Sequence, residues 1–361
     1  MAGGSNYHTL KVIQYWNDNV VDILLPRLGF TYAQRDLKVT GKVIITDSFF
    51  EQEMPNTFGE VLLKFSRMLR VLLSPPQEKY DAVVATSHYL GDVLPTAYVR
   101  SKNPRSKFIA YYHAGLVSEK SILMFFLRKI NDAISIPLLR KHADLILALN
   151  QPIKDFLTAH GVDKTRIKIT NNGIDEIVCD TDPQVPVYEA CFVGRLVKSK
   201  GVFDLVAIWK GVSAKIPNAK LTIIGDGPEK DRLLKLIEKE HLDNNITLNG
   251  FVDEKRKFEI MRKAKLLLLP SYYESWGIVI LEAMSLGLPV ITYDLPALRS
   301  VWGKDIIYVP EGDKRAFEIT VVELLRDPQL RSQLSSHGLE RSTDYSWINI
   351  ATYEANAIER L

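Results

Sequence analysis

The chain has 361 residues, more than one hydrophobic core usually organises, so two domains of ordinary size are expected. With 46% hydrophobic residues, 25% charged residues and a net charge of +3, the composition excludes a disordered or fibrous chain and speaks against a nucleic-acid binder. The two cysteines, Cys179 and Cys191, give no disulfide framework and no metal-ligand cluster, and they suit a reducing compartment.

The start, Met1 to His8, has neither the basic nor the apolar region of a secretory signal, and no later apolar run is long enough to span a bilayer. A cytoplasmic protein is expected. Short β-branched runs then alternate with longer amphipathic stretches: Lys42 to Thr46, Asp81 to Ala85, Lys107 to Tyr111, Asp144 to Leu149 and Arg166 to Thr170. This is the alternation of a parallel α/β sheet. A doubly wound domain normally opens with an apolar strand before its first glycine-rich turn, yet Gly3 and Gly4 stand at the very start, so the first strand is expected to be missing.

The stretch Asp175 to Val187, with Pro183 and Pro186, lacks periodicity and reads as a linker. It divides an N-terminal domain, residues 1–174, from a C-terminal domain, residues 175–344. The second domain repeats the alternation with Ala190 to Val193, Lys220 to Ile224, Asn245 to Leu248, Lys265 to Leu269, Pro289 to Thr292 and Ile306 to Val309. The tail from 345 to 361 reads as an amphipathic helix carrying Trp347, Ile348, Ile350, Tyr353 and Ile358, and it is expected to rejoin the first domain.

Chemistry concentrates where strands end. The segment Pro270 to Ile291 follows the strand Lys265 to Leu269 and opens a helix. Backbone N–H groups at Gly277 and Ile278, at the positive end of that helix, suit a pyrophosphate, and Gly277 lets the backbone come close. Glu274 precedes the turn, and Glu282 lies about two helical turns inside on about the same face, so both carboxylates can meet one extended ligand. Carboxylates accept bonds from sugar hydroxyls; a Glu282 that caps or pairs on a solvated helix is the plainer alternative for the pair taken alone.

The segment Phe192 to Val202 runs from a strand into a turn and places Gly194, Arg195 and Lys200 there, where the two cations could clamp a diphosphate and offset its charge. Two solvated cations beside a turn fit this segment equally. Ile223 to Glu229 ends a further strand in a tight turn, in which Gly225, Asp226 and Gly227 bring backbone close to a ligand. A dinucleotide fingerprint is not met, because Lys230 stands where its third glycine would fall. His113, in Tyr111 to Gly115, sits at a strand end, where a satisfied structural histidine is the alternative.

The Glu274 and Glu282 spacing, together with Phe192 to Val202, Ile223 to Glu229 and Asn249 to Val252, resembles the retaining GT-B glycosyltransferases of the group 1 family, related to sucrose synthase and the bacterial phosphatidylinositol mannosyltransferases. The resemblance implies two Rossmann-like doubly wound parallel-sheet domains facing a cleft. It implies a hexosyl transfer from a nucleoside-diphosphate sugar to a glycan or lipid-linked acceptor, with no cofactor, no metal and a front-face attack. By the same resemblance Glu274 contacts the donor sugar, Glu282 the nucleotide ribose, and Arg195 and Lys200 the diphosphate. Ser275, Trp276, Gly277 and Ile278 line the donor with Phe251 and Val252, whose segment holds the base. Gly3 and Gly4 match the glycine-rich loop facing the donor phosphates, with His8 one turn on, and His113 lies beside the transferred sugar. Domain closure around the diphosphate would align the acceptor hydroxyl with the anomeric carbon.

No D-x-D metal motif stands near a strand end, and no carboxylate nucleophile is evident, so a two-carboxylate double displacement is not expected. Residues 1–172 hold 22 Lys and Arg against 15 Asp and Glu, a balance of +7, while the rest has a balance of −4. Two stretches of the first half, Lys64 to Leu73 and Ser121 to Lys129, combine cations with apolar residues. They make a peripheral membrane contact plausible, although ordinary core helices would show the same pattern. A sugar-nucleotide epimerase or hydrolase of the same architecture, and a truncated donor-binding protein without turnover, are the rival functions.

Overall fold

The computed structural model describes residues 4–16, 21–26, 43–46, 66, 68–113, 122–175 and 185–361. Gly3, Cys179, most of the expected linker and the start of the Lys64 segment lie outside these residues. The chain forms two compact units, one of Met1–Gly173 with Trp347–Leu361, the other of Ile174–Ser346.

The first unit opens with helix α1 (Gly4–Ile13), followed by strands β1 (Ile23–Pro26) and β2 (Val43–Thr46), which pair in parallel as a separate two-stranded sheet. The strand Ile23–Pro26 has no counterpart in the sequence reading, since three apolar residues between Asp22 and Pro26 are too short to show a period of two. Then come β3 (Ala82–Ala85), α2 (Leu90–Lys102), β4 (Lys107–Tyr112), α3 (Ile122–His142), β5 (Leu145–Ala148), α4 (Gln151–Ala159) and β6 (Ile167–Ile169). Strands β3 to β6 pair in chain order as a parallel sheet. The runs of β4 and β5 are almost wholly buried, as a sheet covered on both faces requires. Asn150 starts α4 by accepting the Ile153 amide at 3.0 Å.

The second unit holds β7 (Ala190–Val193), α5 (Val202–Lys215), β8 (Leu221–Ile224), α6 (Lys230–Lys239), β9 (Ile246–Leu248), α7 (Glu254–Met261), β10 (Leu267–Leu269), α8 (Ile278–Ser285), β11 (Val290–Tyr293), α9 (Pro296–Trp302), β12 (Ile307–Val309), α10 (Lys314–Arg326) and α11 (Pro328–Ser342). Asp253, Asp313 and Asp327 cap α7, α10 and α11 by accepting a backbone N–H three residues on. All six strands are parallel, in the order β12-β11-β10-β7-β8-β9. The winding therefore reverses between β7 and β10. Loops leaving the carboxyl ends of two such neighbours run apart and leave a crevice, which is where open α/β sheets bind ligands.

The chain returns to the first unit as helix α12 (Trp347–Glu359). Trp347, Ile350 and Ala351 pack on Val12 of α1, and Ile358 packs beside Ile109, Tyr111, Leu145 and Leu147 of the sheet. The buried stripe is thus 347, 350, 351 and 354, continued by the half-buried Ile358, and Ile348 and Tyr353, expected on that face, are exposed. Residue 354 is a glutamate.

Candidate functional site

In the second unit the loops after β7 and β10 meet at the reversal of strand order. Lys200 ends the first loop and Glu274 lies in the second, and their Nζ and Oε1 atoms are 2.5 Å apart. Ser271 Oγ donates to the same carboxylate oxygen at 3.0 Å. The two loops are held in register by backbone: the Tyr272 amide donates to the Ser199 carbonyl at 2.9 Å. Gly201 has φ +65°, and a Cβ there would stand 1.8 Å from the Pro270 carbonyl oxygen, so only glycine lets the two strand ends come this close. Asp204, in the first turn of α5, accepts from the hydroxyls of Tyr272 and Tyr293 and anchors the second loop.

Gly277 begins α8 at φ +81° and ψ +59°, and a side chain there would strike Ile280. The turn exposes the first N–H groups of α8 and its positive end close behind Glu274 in sequence. Glu282, in the second turn of α8, is buried and pairs with Lys257 of α7 at 2.8 Å. Burial pushes its carboxyl above the ordinary range, and the Lys257 ammonium opposes that rise. Glu282 is thus paired, as the plainer alternative has it, but in a buried position and not on a solvated helix face.

The other expected residues of this unit lie on the neighbouring loops. Arg195 is exposed beside Gly194. Gly225 lies against the Gly194 carbonyl and donates its amide to the Gly250 carbonyl at 2.8 Å, which draws the loops after β7, β8 and β9 together. Asp226 is engaged locally, accepting the Gly227 amide at 2.7 Å and the Lys230 ammonium at 2.9 Å. Phe251 is exposed, and Val252 and Ile278 are half-buried. Ser275 is half-buried beside Glu274. The Trp276 ring is core: it meets Trp302 edge to face with centroids at 4.7 Å, and its carbonyl accepts from Trp302 Nε1 at 2.9 Å. Contact between Trp276 and a ligand is left to its main chain.

In the first unit Gly4 begins α1, and His8, one turn on, is wholly buried. His113 follows β4 with its ring centroid 4.6 Å from that of His8, the planes at 75°. His113 Nε2 is buried and has no hydrogen-bond partner among the described residues. Burial above all, then the neighbouring His8 and His88, hold this imidazole well below the usual histidine range, so it is neutral at physiological pH. A neutral imidazole nitrogen without a partner can exchange one hydrogen bond with a hydroxyl-bearing ligand. The Nε2 atom of His113 is thus not satisfied by the described residues.

Sequence reasoning overlooked Lys257 and Ser271, which hold the two carboxylates, and Glu354, Tyr111 and Asn172, which surround His8, with Thr170, which bonds to Glu354. Only Glu354 left a signal, an acidic residue on an otherwise apolar helical stripe. Among the described residues no group of three or more His, Cys, Asp or Glu is placed to hold a metal ion, and no helix is long and apolar enough to cross a membrane.

Comparison with known proteins bears on these arrangements. The family model Glycosyl transferases group 1 matches residues 181–341, and Glycosyltransferase Family 4 matches residues 2–176. An uncharacterised glycosyltransferase of Methanocaldococcus jannaschii is 32% identical over 57% of this chain and 61% of its own length. The poly(glycerol-phosphate) alpha-glucosyltransferase of Bacillus subtilis is 24% identical over 98% of this chain and 49% of its own length. The chain thus spans roughly half to three fifths of these relatives. Anabaena HepE, solved in complex with UDP and glucose, superposes with a TM-score of 0.77 at 17% identity, covering 100% of this chain and 97% of HepE, which establishes a shared GT-B fold. One glycosyltransferase model thus lies over the first unit and another over the second, so each of the two parallel-sheet units carries the match of a glycosyltransferase domain.

Proposed function

We propose that this chain is a retaining glycosyltransferase. In this reading it moves a hexosyl group from a nucleoside-diphosphate sugar to a glycan or lipid-linked acceptor, without a metal ion and by attack on the face the leaving group departs from. A fold of this kind hosts many chemistries, so the reading is argued from the site. The observation that carries it is the Lys200 and Glu274 pair at the point where the strand order reverses. There a cation for a diphosphate and an acceptor for sugar hydroxyls stand within one hydrogen bond of each other, beside the amino end of α8.

The chemistry asked of these groups is electrostatic. A departing nucleoside diphosphate gathers negative charge, and Lys200, the exposed Arg195 and the first amides of α8 would stabilise it in place, with no reorganisation at the moment of reaction. Glu274 would accept from the sugar and Glu282 from the ribose, the latter kept in position by Lys257. His113, neutral and with Nε2 unpaired, suits a sugar hydroxyl. The UDP and glucose of the HepE complex favour a uridine-linked hexose as donor.

For the acceptor, the relative named for poly(glycerol-phosphate) favours an anionic or lipid-linked polymer, used at the cytoplasmic face of a membrane. Helix α3 offers support: Phe126, Ile130 and Ile134 are exposed at 58%, 57% and 43%, and Lys129, Arg140 and Lys141 are exposed with them. An apolar stripe flanked by cations suits the surface of an anionic bilayer.

The test is mass-spectrometric detection of nucleoside diphosphate after incubation with a panel of sugar nucleotides, in wild type, Glu274→Ala and Lys200→Ala. Release from one donor that both substitutions abolish is expected. Silence across the panel without any rise in melting temperature would refute the donor site.

A further inference from the structure

We propose that Glu354, carried on α12, is a positioning residue for His113: it fixes the His8 ring, and that ring sets the orientation in which His113 presents Nε2. The proposal rests on the reading above, in which His113 lies beside the transferred sugar.

Glu354 is completely buried and yet accepts from three side chains on three separate elements. His8 Nε2 of α1 lies 2.9 Å from Oε1, the Tyr111 hydroxyl at the end of β4 donates to Oε2 at 2.5 Å, and the Thr170 hydroxyl after β6 donates to Oε1. His8 Nδ1 lies 3.1 Å from Asn172 Oδ1, so both ring nitrogens are engaged. Tyr111 and Trp347 close the ring in, with centroids at 5.4 and 5.3 Å. His8 therefore cannot turn without breaking two buried hydrogen bonds. The face it leaves open is occupied by His113 at 4.6 Å, and Tyr111 touches that ring too, at 5.0 Å.

A folding role alone does not call for this arrangement. Every other inward position of α12 is apolar, and a buried polar cluster replaced as a whole by packed apolar side chains loses little stability in many proteins. What a carboxylate provides and a leucine does not is a fixed direction for the imidazole. The other end of the relay is the Nε2 of His113, a buried polar atom with no hydrogen-bond partner among the described residues and so open to one from a ligand. Glu354 thus sets through His8 where that nitrogen waits, although it touches no substrate itself.

The experiment reads the rings and the reaction together on the full chain. Side-chain NMR of histidine-labelled protein, with His113 assigned through its loss in His113→Asn, follows the imidazoles, and Glu354→Gln removes the charge while keeping the shape. The expected result is that the His8 and His113 ring resonances both move. In addition kcat should fall on the order of tenfold to a hundredfold with KM for the donor unchanged, the pattern of lost alignment and not lost binding. That fall should vanish in the His113→Asn background. Unmoved His113 resonances overturn the proposal whether or not turnover is seen, and so do rate losses that simply multiply in the double variant. If Glu354→Gln does not fold, Tyr111→Phe withdraws one donor from the carboxylate and is held to the same readouts. A wild-type chain that releases nucleoside diphosphate from no donor counts against the glycosyl-transfer reading, and the His113 resonances then decide the positioning role alone.

Discussion

Replacing Gly201 by alanine tests whether the contact between the β7 and β10 loops is as tight as the geometry indicates. The new methyl would stand 1.8 Å from the Pro270 carbonyl oxygen and 2.7 Å from its carbon. An ordinary carbon to oxygen contact is about 3.3 Å, so one backbone must retreat by about 1.5 Å. Alanine also has to hold φ +65°, a left-handed conformation that costs about 1–2 kcal/mol. Forced displacement of a packed loop adds about 1–3 kcal/mol, giving a total of about 3 kcal/mol. For a unit of this size that lowers the melting temperature by about 6–12 °C. The same retreat, added to a bond of 2.5 Å, carries Lys200 to the limit of ion-pair range from Glu274. Calorimetry of Gly201→Ala should therefore show a larger loss than Gly250→Ala, where φ is +67° but the nearest atom is the Lys230 ammonium at 3.9 Å. Equal losses would mean that only the backbone conformation matters and that the close approach exerts no strain.

Three further outcomes follow from the charged groups and the exposed helix face. Lys257→Met leaves the buried Glu282 carboxylate unpaired and should cost about 3 kcal/mol in urea unfolding at pH 8. Because the folded-state pKa of Glu282 is raised, its stabilising effect is present below the ordinary glutamate value and lost as pH rises; the Lys257→Met deficit should shrink at pH 5, and an undiminished one would refute the pairing. His88 is driven from 6.5 down to about 3, first by burial and then by Arg128, so it stabilises the fold above pH 6.5 and loses that contribution as pH falls towards 3, a swing of about 5 kcal/mol. His88→Phe should flatten the stability curve between pH 7 and 4, and an unchanged slope would contradict the assigned burial. Joint replacement of Phe126, Ile130 and Ile134 by serine should abolish flotation with anionic vesicles while leaving neutral vesicles unbound as before; retained flotation would remove α3 from the proposed contact.

Much of this protein was legible from local chemistry. The β-branched runs that became β4, β5, β7, β8, β10 and β11 are buried on both faces, so burial itself wrote them as short apolar stretches separated by amphipathic helices. Glu274, Lys200 and the Gly277 turn could be picked out because each stands where a strand gives way to a loop. The strand Ile23–Pro26 was not legible, since it pairs only with β2 and has too few residues to carry a pattern.

What the sequence by itself determined was the alternation of strand and helix, the return of the last helix and the glycines that mark strand ends, all properties of residues adjacent in the chain. What only the tertiary structure decided was which charges meet. Lys200 and Glu274 are 74 residues apart and His8 and Glu354 are 346 apart, and they meet because strand order places β7 beside β10 and because α12 lies on α1. A carboxylate is read as a site or as a solvated charge according to what is packed around it, and that packing is fixed by sheet topology and not by sequence neighbours.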